Sequence, residues 1–102
     1  MSFVNVDPEA LAGAAVQLGA IGAAMEARNV AAAGPTGSVV PAAADEVSAM
    51  IAAQFTQHAR MYRFVSAHAA AVHDMMVATL AADADSYAAA EAANAANAAA
   101  TG

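Results

Sequence analysis

His58, Arg60 and Tyr62 lie within little more than one helical turn of each other. An imidazole beside a guanidinium and a phenol is the best candidate in this chain for proton transfer or small-ligand binding. The wider pattern does not support it. His58 and His68 are ten residues apart, about 15 Å along a helix and on different faces, and His68 and His73 also diverge. No H-E-x-x-H or other metal-ligand spacing occurs, so no metal site is expected. His58 and His68 both fall in apolar stripes, which makes them interface histidines. The serines lack a G-x-S-x-G elbow. The "GPTG" stretch from Gly34 to Gly37 has no following lysine and is no phosphate loop. Asp45 with Glu46, and Asp83 with Asp85, are carboxylate pairs at a helix start and in a tail, where they cap and solvate. The expectation is a non-enzymatic chain with no catalytic residue, no metal and no cofactor.

Composition narrows the function further. The 102 residues allow one small domain. Hydrophobic residues make up 61% of them, yet alanine dominates and buries little area per residue. A thick self-sufficient core is not expected. The formal net charge is −6, with no lysine and with Arg28, Arg60 and Arg63 as the only fixed cations. That excludes a basic footprint for nucleic acid and argues against docking on anionic lipid. The absence of cysteine excludes disulfides and thiolate zinc sites. The start, "MSFVNVDPEA", lacks the basic and apolar regions of a cleaved export signal. The longest uncharged candidate for a membrane span, residues 10–25, is shorter than the roughly 20 residues required and contains Gln17 and three glycines. No transmembrane segment is expected.

Two helices must carry these residues. Asp7 can cap, Pro8 suits the first helical position and Glu9 suits the positive end of the helix dipole. Leu11, Leu18, Ile21 and Met25 then recur at helical spacing. A weaker side stripe runs through Val16, Ala20, Ala23, Ala27 and Val30. Gly13, Gly19 and Gly22 weaken this helix, which points to close approach of another backbone. "GPTGSVVP" ends it. The second helix restarts at Pro41 or at Asp45 and runs without Gly or Pro to at least Leu80. The expected bounds are helix one about 8–33, loop 34–41 and helix two about 42–82, inside a hairpin of residues 1–87. An Ala/Asn-rich tail follows over 88–102, which Ala propensity can keep helical until it frays near Gly102.

Helix two carries two apolar stripes. One reads Ile51, Phe55, His58, Tyr62, Val65, Ala69, Val72, Met76. The other reads Val47, Met50, Gln54, Gln57, Met61, Phe64, His68, Ala71, Met75. Both alternate steps of three and four and lie about 100° apart. Arg60, Arg63 and Asp74 fall on the remaining polar face. The expected fold is all-α, an antiparallel two-helix hairpin in which helix one covers one stripe of helix two. The other stripe then needs a partner. The candidate hairpin or partner interface is Leu11, Leu18, Ile21, Met25, Met50, Ile51, Phe55, Met61, Tyr62, Phe64, Val65, Val72, Met75 and Met76.

Three segments carry a resemblance. "MSFV…DPEAL" with Pro8 and Glu9, "VVPAAADEVSA" at residues 39–49, and "SYAAAEAANAA" near the end resemble the mycobacterial PE proteins over the whole chain. The sequence looks like a short member with almost nothing appended to the PE domain. The resemblance implies a helical hairpin that forms a heterodimer with a PPE-family protein. It implies an elongated four-helix bundle, exported by the type VII secretion machinery to the cell surface or beyond, without a cleavable signal peptide. It also implies a Y-x-x-x-D/E export motif after the second helix, matched here by Tyr87 and Glu91. Residues at i and i+4 share a helix face, so the two can be read together. The family pairs this motif with a W-x-G turn on the partner, and this chain has no tryptophan. Asp7, Pro8 and Glu9 mark the family and the helix start. The alternative is a homo-oligomeric structural or lipid-binding protein of the cell envelope.

Overall fold

In the computed structural model, residues 5–101 are described; Met1 to Val4 of the opening motif, and Gly102 where fraying was expected, lie outside them. Two helices account for most of the chain. α1 spans Pro8–Gly37, 30 residues, and α2 spans Glu46–Thr101, 56 residues. The fold is all-α, with the helices antiparallel and joined by residues 38–45.

Local chemistry sets the helix ends. The Asp7 carboxylate accepts the backbone N–H groups of Glu9 and Ala10, each at 3.1 Å. Pro8 follows as the first helical residue, where its missing N–H costs nothing. α1 runs past residue 33 and includes Pro35 in its last turn. A proline there forfeits only the bond its own N–H would make to the carbonyl four residues upstream, and the helix ends two residues later. Two hydroxyls occupy nearby carbonyls: Thr36 Oγ1 donates to the Ala32 carbonyl at 2.6 Å, and Ser38 Oγ donates to that of Gly34 at 2.7 Å. α2 starts at Glu46 rather than near 42, because Asp45 is its cap. The Ser48 N–H donates to Asp45 Oδ1 at 2.7 Å, which requires a non-helical backbone at the capping residue. At the other end α2 continues through 88–101, as an alanine run without Gly or Pro favours.

The described residues fall into two compact units. One is Ile21–His73, a hairpin of the end of α1, the connection and the first half of α2. Its seam is built from small residues. Gly22, Asn29, Ala33 and Gly37 are the less exposed positions of α1; Ser48, Ala52, Thr56, Ala59, Ser66, Ala70 and His73 are those of α2. The other unit combines the residues up to Ala20 with those from Asp74 onward. There Leu11, Ala15, Leu18 and Gly19 belong to the covered face of α1, and Val77, Leu80, Ala81 and Ala84 to that of α2. Among the described residues the buried ones are all alanine: Ala15, Ala52, Ala59 and Ala84.

This corrects the expected packing. The face of α2 turned to α1 is neither of its bulky stripes. It is a third, small-residue face, roughly 90° from the Ile51 stripe and about opposite the Phe64 stripe. The reason is reach. Small side chains let two backbones approach closely and pack along their length. Gly19 and Gly22 fit that role. A Cβ on Gly22 would lie 2.7 Å from His73 Cδ2, and one on Gly19 would lie 3.9 Å from Val77 Cγ1. Gly13 does not, since a Cβ there would meet nothing within 4 Å.

Gly13→Ala should therefore stabilise the helices by about 0.5–1 kcal/mol through helix propensity alone. Gly22→Ala should forfeit that gain, because the His73 ring must swing aside. Thermal unfolding followed by circular dichroism separates the two, with Gly22→Ala melting below Gly13→Ala.

Candidate functional site

The apolar side chains left outside the seam are the most conspicuous feature of the surface. In the Ile21–His73 unit, Met50, Ile51, Phe55, Met61, Tyr62, Phe64, Val65 and Val72 are all exposed, Phe64 at 78%. Ile21 and Met25 of α1 are exposed as well. In the other unit Met75 and Met76 are exposed, whereas Leu11 and Leu18 are half-covered. Scattered surface apolar residues are ordinary. Here they repeat at steps of three and four along one helix, which makes continuous faces.

At the connection end of the hairpin unit, an open groove of about 470 Å³ lies between Pro35, Val39, Phe55, His58 and Tyr62. The Tyr62 hydroxyl donates to Asn29 Oδ1 at 2.7 Å and ties the two helices together. Arg63 also lines this groove, whereas Arg60 does not. The His58, Arg60 and Tyr62 set therefore does not converge on one cavity. A second open groove, of about 440 Å³, lies along Val47, Met50, Ile51 and Phe55. Among the described residues no three His, Asp or Glu side chains gather as a metal would require.

Arg63 departs from its expected place as a solvated charge. Its Nη1 would lie 3.1 Å from a Cβ on Gly37, so the guanidinium sits over the last residue of α1. That is the negative end of the helix dipole, and α1 has no basic residue of its own in its last turn. The sequence hint was available in the lone glycine at 37, but a glycine after a proline reads first as a turn.

Hydrogen bonding at the start of α2 makes Asp45 more acidic than an ordinary carboxyl. The Ser48 backbone N–H, and then the Ser48 hydroxyl, hold its carboxyl below the ordinary 3.8. Its carboxylate therefore favours the start of α2 at any pH above 3.8, and this support fades as pH falls through the lowered folded value.

Tyr87 and Glu91 lie on α2 itself, one turn apart, and both are exposed. The helix supplies the shared face. By length and apolar composition alone, α1 and α2 are each able to cross a membrane. The expected absence of a spanning segment thus finds no support in helix length; alanine supplies much of the apolar character.

The PE family profile matches residues 4–94. The chain belongs to the PE family. PE family protein PE13 of Mycobacterium tuberculosis (strain H37Rv) is 64% identical over 96 residues, covering 94% of this chain and 97% of that protein. PE family protein PE8 of the same strain is 54% identical over 94 residues, which is 92% of this chain and 34% of the relative. PE-PGRS family protein PE_PGRS33 of M. tuberculosis (strain CDC 1551) is 55% identical over 96 residues, which is 94% of this chain and 20% of the relative. This PE chain thus aligns with nearly all of one relative and with a minor part of two longer ones. The match takes in the exposed stripes, the seam and both Tyr87 and Glu91.

Two substitutions test the local geometry. Arg63→Ala should lower stability by about 0.5–1 kcal/mol, less at high salt, as expected for a cation at a helix C-terminus. Asp45→Ala should speed hydrogen exchange at the amides of residues 47–49 at neutral pH and abolish the acid sensitivity of that turn.

Proposed function

We propose that this PE protein is a non-enzymatic interaction subunit that pairs with a PPE-family protein. The pair closes a four-helix bundle, and Tyr87 with Glu91 directs its export through type VII secretion. The observation that carries the reading is the division of α2. Its small-residue face is used against α1, and its bulky faces carry exposed Phe64, Met61, Phe55 and Tyr62. A second helical pair laid along those faces would bury them. Grooves that are open and apolar suit side chains from such a pair better than they suit a small substrate, which needs a largely enclosed site. The exposed Tyr87 and Glu91 on an ordered helix support recognition of both residues together.

The alternative is a homo-oligomeric or lipid-binding envelope protein. The same exposed faces would serve it, and the membrane-length helices favour it. Co-expression distinguishes them. Under the first reading, the chain alone aggregates or stays unfolded and a PPE-family mate rescues it as a 1:1 complex. Under the second, the chain alone gives a defined oligomer or enters lipid vesicles.

Phe64→Asp should weaken that complex at least about 100-fold, because an unpaired carboxylate would be buried in the contact. Asp74→Ala should leave it unchanged; both are read by titration of the purified partners. Tyr87→Ala should leave the complex intact inside the cell and abolish its secretion. Undiminished secretion of that variant refutes the role given to the motif.

A further inference from the structure

From Tyr87 to Thr101 the helix contains only five residues that are not alanine: Tyr87, Glu91, Asn94, Asn97 and Thr101. At 100° per residue they fall within an arc of roughly 120°, over about 21 Å of helix. The remaining two thirds of the circumference is alanine. Every position on this segment is exposed. Alanine would make the stronger helix at Asn94, Asn97 and Thr101, so these residues are not there for helix stability. Nor do local bonds occupy the asparagines: among the described residues, the side-chain amides of Asn94 and Asn97 have no hydrogen-bond partner. Thr101 differs, since its hydroxyl donates to the Asn97 carbonyl at 3.0 Å.

We infer that Asn94 and Asn97 belong to the same recognition face as Tyr87 and Glu91 and set its specificity. This rests on the export reading given above. The occupant is a protein surface of the export machinery, and its chemistry follows from the arc. Asp83 lies in line one turn before Tyr87, Glu91 lies within it, and no lysine or arginine follows Arg63. The reader therefore presents a cation toward Glu91 and paired hydrogen-bond donors and acceptors toward the two amides. An aromatic ring at one end, a carboxylate one turn on and two open amides beyond form one strip that a groove can read without contacting the alanine side.

The test uses the full chain with its partner, secreted from a mycobacterial host. Asn94→Ala with Asn97→Ala keeps the helix, because alanine is the better helix former, so loss of folding cannot mimic the effect. A second variant adds Ala92→Asn and Ala96→Asn, which restores the composition on the opposite face. Both should lower the secreted fraction about tenfold, as loss of two hydrogen-bonded pairs implies, with intracellular complex unchanged. Secretion at the wild-type level in the first variant, while Tyr87→Ala is retained in the cell, overturns this inference and leaves the export reading standing. Recovery in the face-swapped variant also overturns it, since the asparagines would then act as solubilising groups on any side. Undiminished secretion of Tyr87→Ala overturns the export reading and this inference with it.

Discussion

Close approach of two helix backbones through alanine, glycine and serine governs this molecule. Small side chains allow long contact between the helices but bury little apolar area per residue. Leucine-sized groups in the seam would have supplied more burial and pushed the axes apart. The chain does the reverse. Its four buried residues among those described are alanines, and Phe55, Phe64 and the methionines from Met25 to Met76 stay outside. Hydrophobic burial within one chain is therefore weak, while the surface left over is strongly apolar. Those two facts have one cause, and both underlie the proposal that the chain pairs with a partner.

Several smaller features serve the same seam. Gly22 makes room for the His73 ring, and Gly37 makes room for the Arg63 guanidinium. Tyr62 reaches Asn29 and fixes the two helices against sliding. An alanine seam has few knobs to set register, so a directional hydrogen bond between helices matters more here than it would in a leucine-rich pair. Asp7 and Asp45 then decide where each helix begins.

Much of this was legible in the sequence, for physical reasons. The Asp7–Pro8 helix start, the break around Gly34 to Pro41 and the helical period of α2 follow from local chemistry. Which face of α2 meets α1 did not follow. Large apolar residues advertise burial, and stripes of Phe and Met hid the quieter row of Ala52, Thr56, Ala59, Ser66 and Ala70 on a third face. The row was readable, because Gly19 and Gly22 called for an equally slim neighbour. The passage of α1 through Pro35 was hidden for a different reason. Proline reads as a stop, and the hydroxyls of Thr36 and Ser38 that take up nearby carbonyls carry no distinctive pattern. The PE assignment rested on three separated segments, and the family match takes in all of α1 and α2 as far as residue 94.

Under the function proposed above, the division of labour on α2 lets one short chain serve two readers. A broad apolar surface suits a permanent mate, whose binding is dominated by area. A narrow polar strip on an alanine rod suits a transient reader, whose binding depends on a few directed bonds.

Sedimentation velocity combined with differential scanning calorimetry on the purified chain, without any partner, tests the central claim most directly. Incomplete burial predicts no stable monomer: the chain should self-associate or show no cooperative heat absorption at micromolar concentration. A monodisperse monomer with a single cooperative transition would contradict it, because an alanine seam alone would then be enough to hold the fold.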